Sequence, residues 1–252
     1  MNFVNLIWII PLAIIVSFLI NHLADSLPAQ RKLIFSPVCL KCNQTVNFST
    51  YFLFQNCPNC HEPPRKRRFF VLFAIIITYV LLYLFPPKFA GATFAIIILS
   101  FLTLVFVIDF EYRLILHPVM VFGGILFLIF GIILNGWKNS LLGGGAGFLL
   151  MYILYLLGIL FTKWMSKRRG ETVEEVALGY GDVNFSAILG LLFGWPRIAV
   201  LLFFAIMLGG FFSLIFIIIL KILKKYEILI PIPYAPFLIL SSIIMLYIST
   251  PK

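Results

Sequence analysis

Acidic residues are scarce here. The 252 residues include nine aspartates and glutamates, and charged side chains make up 11% of the chain. A soluble domain is about a quarter charged, so this composition cannot supply the polar surface of a water-soluble fold. Histidine is scarcer still at three residues. His22 and His117 fall at predicted helix ends, where a lone imidazole is more often a packed polar group than a base. Only four cysteines occur, all between positions 39 and 60. No internal repeat or low-complexity linker is visible, which excludes solenoid and array architectures. What the chain has in quantity is apolar: 62% hydrophobic residues, 28 phenylalanines and a mean hydropathy of +1.10.

A helix needs about 20 apolar residues to cross about 30 Å of hydrocarbon, and such runs recur from end to end. The pattern predicts an all-α polytopic membrane protein of about eight spans, near 3–21, 69–87, 91–109, 119–135, 141–162, 183–195, 198–220 and 228–248. The first run lacks a basic leader and a small-residue cleavage site, so it reads as a retained helix. The break between the sixth and seventh spans falls at Trp195-Pro196-Arg197, where proline and a cation suit a turn. Three segments follow: a first helix at 1–23, a polar segment at 24–68 and a membrane domain at 69–252.

The formal charge of +10 would suggest nucleic acid in a soluble protein. Here the cations lie between apolar runs and report orientation instead, so membrane lipid is the expected partner and nucleic acid is not. Fifteen of the nineteen cations fall on one side, including Arg31, Lys32, Lys41, Arg65 to Arg68, Arg113, Lys163 and Lys221. Lys88, Lys138, Arg197 and Lys252 fall on the other. The rich side is expected to be cytoplasmic, with both termini outside. All nine acids lie on the same cytoplasmic side. Among them Glu171, Glu174 and Glu175, beside Lys167, read as a solvated loop able to meet a basic substrate segment.

Cys39-x-x-Cys42 and Cys57-x-x-Cys60 form two knuckles separated by fourteen residues. Four thiolates in that pattern can hold one structural zinc, and the metal would fold a segment too small to fold by burial alone. Disulfides are the other reading, but they are rare in a reducing cytoplasm. His61 could compete as a ligand, yet four cysteines already close the site. A closed site leaves no open position for catalysis.

Two aspartates carry the candidate chemistry. Asp109 ends the third span in Ile108-Asp109-Phe110-Glu111-Tyr112-Arg113, and an ionisable group at bilayer depth is a functional candidate by default. Asp182 follows Gly179-Tyr180-Gly181, whose glycines allow a close backbone approach that a β-carbon would obstruct. The topology brings both to one leaflet. If they face each other, like charge disfavours double ionisation, leaving one base and one acid for water-mediated hydrolysis. Singly, Asp182 could be a helix N-cap and Asp109 an interfacial partner of Arg113. Glu111, two positions from Asp109, should point to another face and lie nearer water.

These motifs together resemble the bacterial type IV prepilin peptidases, a family of membrane aspartyl proteases also called leader peptidases. Leu27-Pro28 is similar to the family's first-helix exit, the paired knuckles to its zinc loop, and Asp109-Phe110-Glu111-Tyr112-Arg113 to its first catalytic segment. Gly179-Tyr180-Gly181-Asp182-Val183 is similar to the second, and Ile232-Pro233-Tyr234-Ala235-Pro236-Phe237-Leu238 to the entry of the last helix. The resemblance implies Asp109 and Asp182 as the catalytic pair. It implies type IV prepilins or pseudopilins as substrates, cut between a basic leader and a hydrophobic helix at the cytoplasmic face of the inner membrane. Many members also methylate the new N-terminus with S-adenosylmethionine. The chain departs from the family at Ser26, Leu116-His117 and Asn184, and it shows no glycine-rich loop for that cofactor.

Three other readings compete. A thiol redox membrane protein would place its cysteines on the oxidising side, against the loop charges. A cation-coupled transporter would place polar groups near the midplane of broken helices, and few are found there. An inactive relative would keep the scaffold without the activity.

Overall fold

The computed structural model describes residues 3–30, 37–39, 41–42, 44–169, 179–223 and 233–248. Among them the chain is helical: α1 (Phe3–Gln30), the short α2 (Phe48–Phe52), α3 (Lys66–Leu84), α4 (Gly91–Tyr112), α5 (His117–Asn135), α6 (Trp137–Arg169), α7 (Tyr180–Phe193), α8 (Arg197–Ile222) and α9 (Ala235–Ile248). Extended pairing among the described residues is limited to one bridge, Val38 with Thr45.

Six of these helices are long and apolar enough to cross a bilayer. Eight spans were expected, and the difference lies in α7 and α9, with 14 residues each. At about 1.5 Å per residue each covers roughly 21 Å, short of the hydrocarbon thickness. The first part of the expected span 228–248 lies in 224–232, outside the described residues, as do Glu171, Glu174 and Glu175. The turn expected at Trp195-Pro196 is present between α7 and α8.

One unit comprises Met1–Pro87 with Gly91–Tyr112 and contains α1 to α4. Helix α3 turns Val71, Ile75, Tyr79 and Leu82 inward, at the i, i+4, i+8, i+11 spacing of one face. Its other face presents Phe70, Phe73, Ile77 and Leu81 outward, as a lipid-solvated helix does. The Tyr79 hydroxyl meets Ser100 Oγ of α4 at 2.7 Å, which pairs two polar groups inside an apolar interface. Helix α1 outruns its expected end near residue 21 into the stretch expected to be polar, where Asp25 and Ser26 are buried, as is Asn21.

The second unit comprises Lys88–Ala90 with Arg113–Lys252 and contains α5 to α9. Helix α5 opens with Pro118 in its first turn and stops at Gly136 (φ 79°), a conformation that disfavours any β-carbon. Helices α6 and α7 meet backbone to backbone. A Cβ built on Gly143 would lie 2.3 Å from the Gly190 carbonyl oxygen, and one on Gly190 would lie 2.2 Å from that of Gly143. Small residues allow this approach where lipid gives no hydrophobic drive for helices to associate.

The last-turn carbonyls of α7 have no partners within their own helix. Asn135 Nδ2 donates to Leu192 O at 2.7 Å, and Ser140 Oγ donates to Leu191 O. Further along, Ser186 Oγ donates to Gly147 O at 3.1 Å. Helix α7, which carries Asp182, is thus seated on α5 and α6 by backbone contact and side-chain caps. Gly143→Ala is expected to destabilise the protein by about 1–3 kcal/mol through overpacking. Gly145→Ala, where a Cβ meets nothing within 4 Å, is expected to change stability by less than about 0.5 kcal/mol. Unfolding of both variants in the same detergent checks the contrast.

Candidate functional site

The four cysteines converge. Their sulfur atoms all lie within 4.8 Å of one another, with Cys39 to Cys60 at 3.6 Å and Cys42 to Cys57 at 3.8 Å. A tetrahedral centre with metal–sulfur bonds near 2.3 Å has sulfur–sulfur edges of about 3.8 Å, so the set fits one thiolate-bound ion. All four thiols are free, and His61 is not part of the cluster. The first knuckle is closed by Cys39 N–H to Gln44 O (2.9 Å) and Val46 N–H to Pro37 O (2.7 Å). The second is closed by Cys57 N–H to Glu62 O (3.0 Å) and His61 N–H to Cys57 O (2.9 Å). Backbone N–H groups of Cys60 and Asn59 bring the Cys57 thiol down to about 6, toward the thiolate that binds metal.

Asp109 lies in the last turn of α4 and is 6% exposed. Asp182 lies in the first turn of α7 and is 8% exposed. Its position corrects a local expectation: α7 begins at Tyr180, so Asp182 is the third helical residue and Gly179 occupies the N-cap position. Neither glycine of the motif has a positive φ, so their contribution is space. A Cβ on Gly181 would lie 3.0 Å from Ile115 Cβ, and one on Gly179 would lie 3.3 Å from Asp182 Oδ2. The Tyr234 hydroxyl, just before α9, is buried without a hydrogen bond and within electrostatic reach of Asp182. Asp109 belongs to the first unit and Asp182 to the second.

Residues 96–214 match the model of the type IV leader peptidase family. Over that segment, a little under half of the chain, the sequence is similar to that family. Several curated relatives carry the name prepilin leader peptidase/N-methyltransferase. The one from Bacillus subtilis (strain 168) is 24% identical over 60% of this chain and 53% of its own length. The one from Pectobacterium carotovorum subsp. carotovorum is 29% identical over 59% of this chain and 49% of its own. That from Aeromonas salmonicida (strain A449) is 28% identical over 50% and 38%. The chain therefore spans about half the length, or less, of the curated relatives it matches. No solved structure matches. The family segment holds Asp109, Glu111, Gly179, Gly181 and Asp182, while all four cysteines lie outside it.

Also outside the family segment is a buried ionic cluster that sequence reasoning missed. Asp25, 3% exposed on α1, accepts from Tyr51 OH (2.6 Å), Arg67 Nη2 (2.7 Å) and Arg68 Nη2 (3.1 Å). The Arg68 guanidinium also lies 3.7 Å from the centroid of the Tyr51 ring. Arg67 reaches on through Nη1 to Glu111, which also accepts from Arg65 at 3.2 Å. Burial raises the Tyr51 phenol well above its ordinary range, reinforced by the neighbouring Asp25 charge, so it remains a donor. The available signal was a lone acid near the end of α1 followed by Arg67-Arg68 at the next helix start. Those arginines read as markers of orientation.

Removing one partner strands the opposite charges in a poorly solvated place. Asp25→Ala is expected to cost about 3–5 kcal/mol, and Tyr51→Phe about 1–3 kcal/mol. Both losses are to be read from unfolding in detergent.

Proposed function

We propose that this chain is a membrane aspartic endopeptidase that removes the basic leader of type IV prepilins or pseudopilins. The observation that carries the reading is a pair of buried aspartates at helix ends, Asp109 closing α4 and Asp182 opening α7, both inside the family segment. The two carboxyls act as a dyad across the scissile bond. One is ionised and removes a proton from water as the water oxygen bonds to the carbonyl carbon. The other is protonated and donates to the carbonyl oxygen as negative charge develops there. The tetrahedral species then breaks its C–N bond: the leaving amine takes the proton that the base drew from water, and the oxygen returns its proton to the second carboxylate as the carbonyl re-forms. The N-terminal end of α7 favours the negative charge at Asp182, which suits that residue to the base role.

Loop charges orient the site. The cation-rich loops face the cytoplasm of the bacterial inner membrane, and the active site lies at that face with both termini outside. A substrate with a cytoplasmic basic leader and a membrane-embedded helix presents its scissile bond at the depth of the aspartates. The four cysteines hold one structural zinc, and their convergence into a single cluster supports this over paired redox disulfides. The transporter reading draws no comparable support, because each aspartate sits at a helix end.

A second activity, methyl transfer from S-adenosylmethionine to the new N-terminus, draws on the relatives' names. A cavity of about 440 Å³ lined by Cys39, Lys41, Tyr51, Cys57, Arg65 and Arg68 lies beside the cysteine cluster and is of a size that takes a small-molecule ligand.

Purified protein in lipid, incubated with a candidate prepilin and S-adenosylmethionine, is expected to release the leader. Asp109→Asn and Asp182→Asn are each expected to abolish cleavage while unfolding as wild type does, since each keeps the volume and removes the titrating group. Full cleavage by either variant refutes the dyad. The product's mass reads methylation in the same assay. Metal analysis is expected to find about one zinc per chain and to find it lost in Cys57→Ser; a metal-free wild type refutes the zinc site.

A further inference from the structure

Among the described residues, Arg67 joins Asp25, the least exposed carboxylate of the first unit, to the end of α4. Through Nη2 it holds Asp25 at 2.7 Å and the Asn21 carbonyl at 3.3 Å, and through Nη1 it holds Glu111. Both ends of the bridge are anchored. Asp25 is further fixed by Tyr51 and Arg68, and Glu111 by Arg65. The guanidinium itself is mostly buried, so its geometry is set by packing as well as by charge.

The consequence for α4 is rotational. Glu111 and Asp109 share the last turn of the helix, and two residues correspond to about 200° about its axis. A helix end is free to fray or turn unless its terminal side chains are held. With Glu111 drawn to Arg65 and Arg67 at the start of α3, the turn is fixed about its axis. Asp109 is then directed to the opposite side of α4, where it is buried.

We propose that Arg67 is a positioning residue for Asp109: gripped by the buried Asp25, it holds Glu111 and thereby fixes the rotation and closure of the last turn of α4. This rests on the peptidase reading for its effect on rate, but not for its effect on the helix. Arg67 touches no reacting atom. Arg67 to Lys cannot reproduce it, because an ammonium lacks the planar fork that meets two carboxylates at once. The cysteine knuckles join the same arrangement through Tyr51, which lies between the two Cys-x-x-Cys pairs and donates to Asp25.

Two measurements on the full chain in lipid test the inference. In the first, kcat for the same prepilin is expected to fall about 10- to 100-fold in Arg67→Ala and in Glu111→Gln, with KM within about twofold of wild type. Guanidinium at non-denaturing concentration is expected to restore part of the rate to Arg67→Ala and none to Asp109→Asn. In the second, amide hydrogen exchange of residues 109–112 is expected to speed up in both variants while residues 95–104 exchange as in wild type. If either variant keeps kcat within twofold, or if exchange at 109–112 is unchanged, the inference is overturned. Should Arg67→Ala fail to fold, Glu111→Gln, which leaves the Arg67 bond to Asp25 in place, decides by the same two readouts. A wild type that cleaves nothing refutes the peptidase reading alone, and the exchange result still decides whether Arg67 holds α4.

Discussion

Burial of charge governs this protein. Its surroundings supply hydrocarbon rather than water, so a carboxylate inside it is costly unless the fold arranges groups around it. Among the described residues, Asp25, Asp109 and Asp182 are nevertheless less than a tenth exposed. Asp25 shows how the cost is met, with two guanidinium groups and a phenol on one carboxylate and an aromatic face beneath one of the guanidiniums. Such a cluster adds little net stability over an apolar core of the same shape, but it admits few alternative geometries. It therefore specifies how α1, α3 and α4 meet.

The second unit solves a different problem by different means. Helix α7 is too short to span alone and begins with the residue types that read as a loop. It is held where it is by glycines that let α6 approach to backbone contact and by Asn135 and Ser140, which occupy its terminal carbonyls. Asp182 therefore sits on a rigid helix end rather than on a mobile loop. That arrangement suits a group required to hold one orientation toward a bond.

Much of this was legible in the sequence, and the exceptions have a common cause. Apolar runs locate the helices because lipid imposes that period and length on each span separately, and the Trp195-Pro196 turn announces itself through the proline. The two Cys-x-x-Cys pairs signal a common metal site because their spacing is local. The full length of α1 was hidden because Asn21, Asp25 and Ser26 look like an exit into water. Asn21 and Asp25 are held by Arg67 and Arg68, more than 40 residues away, and no local pattern encodes that pairing. The start of α7 was missed by a few residues for a related reason. Gly179-Tyr180-Gly181 has the composition of a loop, and the space those glycines leave for Ile115 and the Asp182 side chain is a tertiary fact. Helix α7 was expected to be short, at 183–195, whereas the apolar residues that precede Ala235 made α9 read longer than its 14 helical residues.

Asp109 and Asp182 are proposed to work as one acid–base pair on a leader peptide bond. The measurement that reaches it most directly is the pH dependence of kcat/KM for prepilin cleavage by the wild-type protein in lipid. Two carboxyls sharing one proton predict a bell-shaped profile whose limbs belong to the pair, with the rate lost both when the pair is fully protonated and when it is fully ionised. A rate that climbs through a single ionisation and stays level would contradict the pair.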